Sequence, residues 1–337
     1  MTTLEAGPAP LDALFGPPER DCPRLSPDGH RLAWLAPVDG VAQIWVAGAP
    51  GGARPRRLTH APPPGIALYC WAPDDRHLLY VLDDGGDENW RLHAVDATTG
   101  TRRALTPPGT QADVLAVSPH HPRHALVALD TRAPGLADAH HHDHVTGERT
   151  LVAENPRDVE RWFADPQLRV RAATVRRDDG GLDVLHRRAG EGTWHTALHL
   201  GADDALASGP VAVPATGVLL VTTAGGDTAR LVHLDPATGA LDVLAARPGH
   251  DVDDLLLDPR THRPHAVAFA AARRTWHPLD DTPPWPAWPP ATSPSRAATA
   301  ATGAGSSPTA GPTSPAPTTC GTAPPAPPTT SSTSAPC

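Results

Sequence analysis

Ser26-Pro27-Asp28, Ala72-Pro73-Asp74, Ser118-Pro119-His120 and Ala164-Asp165-Pro166 open four successive units of this chain of 337 residues, and Ser26, Ala72, Ser118 and Ala164 stand 46 residues apart. A second marker is the apolar residue that closes each unit. Leu58, Leu105, Leu151, Leu198 and Leu244 follow one another at gaps of 47, 46, 47 and 46. A third is the glycine turn before the last strand, at Gly100, Gly147, Gly192 and Gly239. Independent markers that keep one period of 40 to 50 residues indicate a repeat architecture.

Within a unit the pattern belongs to strands. Arg31 to Leu35, Gln43 to Val46 and Arg57 to Thr59 are short β-branched and aromatic runs separated by Pro-Asp-Gly and Gly-Gly turns. A four-stranded sheet of this size cannot bury both faces alone, so neighbouring sheets must cover it, which is the logic of a β-propeller blade. The sequence therefore predicts an all-β propeller over residues 21–280, with units near 25–59, 69–107, 115–154, 162–200 and 209–246 and a sixth that begins at Val252 and breaks off after about two strands. That makes about five and a half blades in an incomplete ring. Trp34, Tyr80 and Leu126, again 46 apart, are expected to pack between adjacent blades.

Residues 1–20 form a lead-in and 281–337 a tail of different character. From Thr282 onward every residue except Trp285, Trp288, Arg296, Cys320 and Cys337 is Pro, Ala, Thr, Ser or Gly. Such a segment offers too little apolar surface to offset its chain entropy and is expected to be disordered. All 28 basic residues are Arg, which suggests a GC-rich gene, and in such a gene a shifted reading frame yields this composition. The abrupt change inside a blade favours a frame change, and a mucin-like stalk is the other reading.

Composition narrows the function. The formal charge of −9 with mixed signs leaves no basic stripe for phosphate, so nucleic-acid binding is disfavoured. Cys22, Cys70, Cys320 and Cys337 lack C-x-x-C spacing and suggest neither zinc nor a disulfide framework. The first ten residues lack the pattern of a secretory signal, and no apolar run approaches membrane-span length, so a cytoplasmic protein with no membrane partner is expected.

The run Pro23 to Trp34, followed by Gln43 to Val46 and Arg57 to Thr59, resembles the first blade of the prolyl oligopeptidase family of serine peptidases, closest to its acylaminoacyl-peptidase and dipeptidyl-peptidase branch. The hairpin Gly86-Asp87-Glu88-Asn89 with Trp90 to His93 and Val95-Asp96 resembles that family's second blade, and Leu14-Phe15-Gly16 its opening. The resemblance covers about residues 11–280. Ser-Pro-Asp-Gly before Ile-Trp also marks TolB-like propellers. In the family, the resemblance implies, a propeller of seven or eight blades caps an α/β-hydrolase domain with a Ser nucleophile in Gly-x-Ser-x-Gly, an Asp and a His. The nearest match here, Gly305-Ser306-Ser307-Pro308-Thr309, has Thr309 where the second glycine is needed, and no Asp or His follows. No catalytic residue is assigned. The expected role is that of a substrate-gating propeller, inactive by itself, with a peptide or protein as its partner; the alternative is a non-enzymatic binding propeller.

Two further places carry chemistry. Glu88, in the Asp87-Glu88-Asn89 hairpin, is the one candidate substrate-binding residue, able to meet the amino terminus of a peptide if the hairpin lines the cavity. His140, His141, His142 and His144 with Asp143 are dense enough to attract a metal. On a strand, however, His140, His142 and His144 share one face about 7 Å apart, a poor geometry for one tetrahedral ion. No metal site and no cofactor are expected.

Overall fold

The computed structural model describes residues 18–49, 54–83, 89–156, 158–188, 190–271 and 273–279. They form six antiparallel sheets in chain order. Blade one holds β1 (Asp21–Leu25), β2 (Arg31–Val38), β3 (Val41–Gly48) and β4 (Arg56–Arg57), and blade two β5 (Ile66–Trp71), β6 (His77–Asp83), β7 (Trp90–Asp96) and β8 (Arg102–Ala104). Blade three holds β9 (Ala112–Val117), β10 (His124–Leu129), β11 (Asp138–Asp143) and β12 (Arg149–Ala153), and blade four β13 (Val159–Ala164), β14 (Val170–Arg176), β15 (Leu182–His186) and β16 (His195–Leu200). Blade five is β17 (Gly209–Ala212), β18 (Val218–Thr222), β19 (Arg230–Leu234) and β20 (Leu241–Ala245), and blade six β21 (Val252–Leu257), β22 (Pro264–Phe269) and β23 (Thr275–Pro278).

The sixth unit thus has three strands among the described residues, which form six blades rather than five and a half. Its third strand, Thr-Trp-His-Pro, has no alternating apolar residues and was not legible as a strand. The first strand was hidden for a similar reason. Asp21–Leu25 is exposed almost throughout, contains Pro23, and meets β2 through an irregular register between Asp21 and Arg24. The tail at 281–337 and the lead-in up to Pro17 lie outside the described residues.

Apolar packing runs from blade to blade. One cluster joins Ala33, Leu35, Ile44 and Val46 of blade one to Leu78, Tyr80, Leu82 and Val95 of blade two. The next joins Leu79, Val81 and Leu92 to Ala125, Val127 and Leu129 of blade three. Further clusters link blades three and four, four and five, and five and six. Among the described residues no such cluster joins blade six to blade one. Each wholly buried leucine, such as Leu92 or Leu126, stabilises the fold by about 2 kcal/mol relative to exposure.

The repeat markers have physical causes. Leu58 and Leu105 are buried, and Thr59 and Thr106 next to them accept hydrogen bonds from the amides of Ile44 and Leu92 at 2.9 and 3.0 Å. Arg56 donates to the carbonyls of Ala97 and Thr98 in the next blade, and Arg103 does the same to Thr146. Gly100 and Gly147 stand beside those two guanidinium groups at φ of 77° and 82°, a left-handed backbone conformation that glycine adopts without strain.

Not every marker keeps its place. Leu151 and Leu244 are 50% and 40% exposed, so the closing residue of blades three and five points outward. Trp34 and Tyr80 are buried as expected, but Tyr80 faces blade one and Leu126 faces blade four. The turn before β10 contains one more residue, which shifts the pairing so that Val117 opposes Ala125 where Trp71 opposes Leu78. Val127, not Leu126, is therefore the counterpart of Tyr80, since a slip of one residue reverses the face of every side chain that follows.

Candidate functional site

Because strands alternate in direction, each blade has two kinds of loop at its two ends. One end carries the hairpins between second and third strands, including β6 to β7. The other carries the Pro-Asp turns before the second strand and the Thr-Gly turns before the last.

The predicted substrate residue falls in the sequence between β6 and β7. Glu88 itself lies outside the described residues, as do residues 84–87. What is described is the base of its hairpin: Asp83 opposes Trp90, and the Trp90 amide donates to Gln111 Oε1 at 3.0 Å. The Gln111 amide in turn donates to Asp130 at 2.7 Å, so blade three braces the hairpin of blade two. On β9, burial raises the Asp113 carboxyl above its usual range, with Arg161 opposing the effect.

The turn end holds a cluster that the sequence did not disclose. Asp74 sits in the turn before β6, where one carboxylate oxygen accepts the amides of Arg76 and His77 at 3.0 and 2.9 Å. Its other oxygen accepts His77 Nδ1 at 2.6 Å and His144 Nε2 at 2.9 Å. Burial of Asp74 works against its charge, but the bonds from His144, His77 and the backbone prevail and hold the carboxyl far below the ordinary value. Since a carboxylate only accepts, both rings must present an N–H to it. The His144 side chain is wholly buried, its Nδ1 has no hydrogen-bond partner, and its ring centroid lies 5.1 Å from that of His77. A cleft of about 260 Å³ opens beside the two imidazoles, lined also by Arg76, Asp96 and Arg103. Arg76 is committed to Asp96 through bonds of 2.8 and 2.6 Å.

The histidine-rich stretch is divided rather than gathered. His140 and His142 oppose Val127 and Ala125 and so face blade two, whereas His141 faces the other way and reaches the Leu168 carbonyl at 2.7 Å. His144 lies one residue past the end of β11 and, like His140 and His142, is turned toward blade two, where it reaches Asp74. His142 is fully buried with both ring nitrogens unpartnered, and burial, with His140 and Arg149 adding to it, lowers its pKa to about 4. In the sequence Asp74 is one of the Pro-Asp turn residues that open a unit. The available signal was a histidine 70 residues downstream, which nothing short of the blade-to-blade register connects to it.

No serine nucleophile is assembled among the described residues. Ser26 Oγ donates to Asp28, Ser118 to the Pro166 carbonyl, and Ser208 pairs with Thr222. None of the three meets an imidazole. No described helix is long and apolar enough to cross a membrane.

Comparison with known proteins agrees with this reading of the fold. No family model matches the chain. Over 272 residues it is 38% identical to dipeptidyl aminopeptidase BIII of Pseudoxanthomonas mexicana, a match that covers 80% of this chain and 39% of that protein. A dipeptidyl peptidase family member 6 of Caenorhabditis elegans is 24% identical over 220 residues, covering 60% of this chain and 29% of its own length. The chain therefore spans about two fifths or less of these relatives. A prolyl endopeptidase structure superposes with a TM-score of 0.55 at 12% identity, covering 74% of this chain and 39% of that one. The acylaminoacyl peptidase of Pyrococcus horikoshii gives 0.50 at 14% identity, with 77% and 45% covered. Six consecutive blades among the described residues, the turn markers and the long peptidase match agree: the chain is similar to a portion of dipeptidyl aminopeptidase BIII and has the propeller fold found in the prolyl endopeptidase and acylaminoacyl peptidase structures.

Proposed function

We propose that this chain is the substrate-gating propeller of a prolyl-oligopeptidase-like serine peptidase, without the hydrolase domain and therefore inactive alone. The 38% match to an aminopeptidase, which runs through the blades and covers 39% of that relative, carries this reading. The three described serines, whose hydroxyls bond to groups other than an imidazole, support it. In the intact enzyme the propeller screens peptides by size and extension, and Glu88 on its braced hairpin meets the substrate's amino terminus. Residues 281–337 are read as the product of a frame change, and the protein as cytoplasmic.

The test is a peptidase assay on the purified chain with chromogenic dipeptidyl and acyl-aminoacyl substrates, run alongside translation of the DNA beyond codon 280 in the other two frames. The expected outcome is no turnover, and a neighbouring frame that encodes more blades and a Gly-x-Ser-x-Gly. Turnover blocked by a serine-directed inhibitor overturns the inactivity. A stop in both frames followed by an unrelated gene overturns the peptidase reading and leaves a binding propeller.

A further inference from the structure

We propose that Asp74, His77 and His144 form a site for a divalent transition metal, zinc or a metal of similar preference, that ties blade two to blade three at the turn end of the propeller. The three side chains each offer one ligand atom, and those atoms lie within 4.8 Å of one another. One carboxylate and two imidazoles form a donor set that zinc takes with three protein ligands and one open position. The open position has a place here, because His77 and His144 both line the cleft of about 260 Å³.

The adjustment required is small. Ligands at about 2.0–2.1 Å from a tetrahedral ion lie further from one another than the present 2.6 and 2.9 Å from Asp74 to the two rings, so each imidazole retracts by a fraction of an ångström. Ligation through His77 Nδ1 and His144 Nε2 requires those nitrogens to carry no proton, which leaves the ring N–H on His77 Nε2 and His144 Nδ1. The hydrogen bonds of both rings to Asp74 give way to bonds to the metal, and at His144 no other group competes for Nδ1. Asp74 supplies the negative charge. Arg76, which also faces the cleft, is neutralised by Asp96 at 2.6 Å, leaving the exposed Arg103 as the opposing cation. Because the ligands come from two blades, metal binding and seam stability are coupled.

The reading is distinct from incidental capture by the other histidines, and the experiment separates the two. The full chain, stripped with EDTA, is titrated with Co(II) and followed by its visible spectrum, and then with Zn(II) by equilibrium dialysis. The expected result is one equivalent bound with the intense bands of tetrahedral cobalt, and a rise in Tm with zinc. Asp74→Asn and His77→Gln should each weaken binding by about 100-fold or more. His121→Ala/His124→Ala, which removes the histidine pair whose rings stand 6.4 Å apart, should leave it unchanged. Should the single variants fail to fold, X-ray absorption on the zinc-loaded wild type decides, with two imidazoles and one carboxylate expected. No stoichiometric binding, a different ligand set, or binding that survives Asp74→Asn but not the His121/His124 double substitution overturns the proposal.

Discussion

The seam between blades one and two and the seam between blades two and three are built from the same positions of the repeat, yet their chemistry differs. In the first, Val95 and Ala97 of blade two are buried against blade one in an apolar cluster. In the second, the residues 47 further along are His142 and His144, the one buried without partners and the other bonded to Asp74. Asp28, the equivalent of Asp74, is exposed and bonds only within its own turn, to Ser26 and the His30 amide. Both seams keep the arginine that reaches the next blade, Arg56 in one and Arg103 in the other. The repeat supplies the scaffold, and a chemical site arises only where changes in two neighbouring blades fall opposite each other.

The largest expected effect breaks the apolar seam. Gly65, at φ of 99°, pairs with Ala42 across blades one and two, and a Cβ there would lie 2.7 Å from the Ala42 amide nitrogen and 3.0 Å from its carbonyl oxygen. Backbone strain and overpacking each cost about 1–3 kcal/mol. Gly65→Ala should therefore lose about 4 kcal/mol in chemical denaturation, and an unchanged midpoint would show that the seam adapts freely.

Next is the polar seam's response to acid. The unfolded His142 takes up a proton near its ordinary value of 6.5 and the folded one only near 4, so the unfolded state binds more protons and stability falls as pH drops through that window. The penalty is on the order of 3 kcal/mol at the acid end. His142→Val, which installs the residue of blade two, should flatten the stability profile between pH 6.5 and 4 in EDTA. An identical profile in the variant assigns the acid limb to other groups.

The smallest effect compares the two turn aspartates. Asp74→Ala leaves the buried His144 unpaired and should cost about 2 kcal/mol, whereas Asp28→Ala should stay within about 0.5 kcal/mol. The Asp74 contribution carries its own sign. Its carboxyl is held below the ordinary 3.8, so the stabilisation is present above that pH and lost as pH falls below it. Equal effects of the two substitutions on Tm at pH 7 would erase the contrast between the seams.

Much of the scaffold could be read before any coordinates. Period, turn residues and the Leu-Thr closing pair reflect local rules, namely turn chemistry, alternation and the need of each sheet for a neighbour, and these act on residues close in the chain. The misreadings share one cause. Asp21–Leu25 and Thr275–Pro278 are strands by virtue of the partner they pair with, not of their own pattern. The extra residue before β10 moved Leu126 to the opposite face without disturbing the 46-residue spacing of the neighbouring turn markers.

What the sequence by itself determined is the blade, its approximate number and its kinship, because each is repeated and each repetition is an independent sample of the same local physics. What only the tertiary structure decided is which residues of one blade meet those of the next. Asp74 and His144 lie 70 residues apart and come within 2.9 Å because the end of β11 packs on the turn before β6. That meeting is set by register and turn length summed over a whole blade, where a single inserted residue changes the outcome.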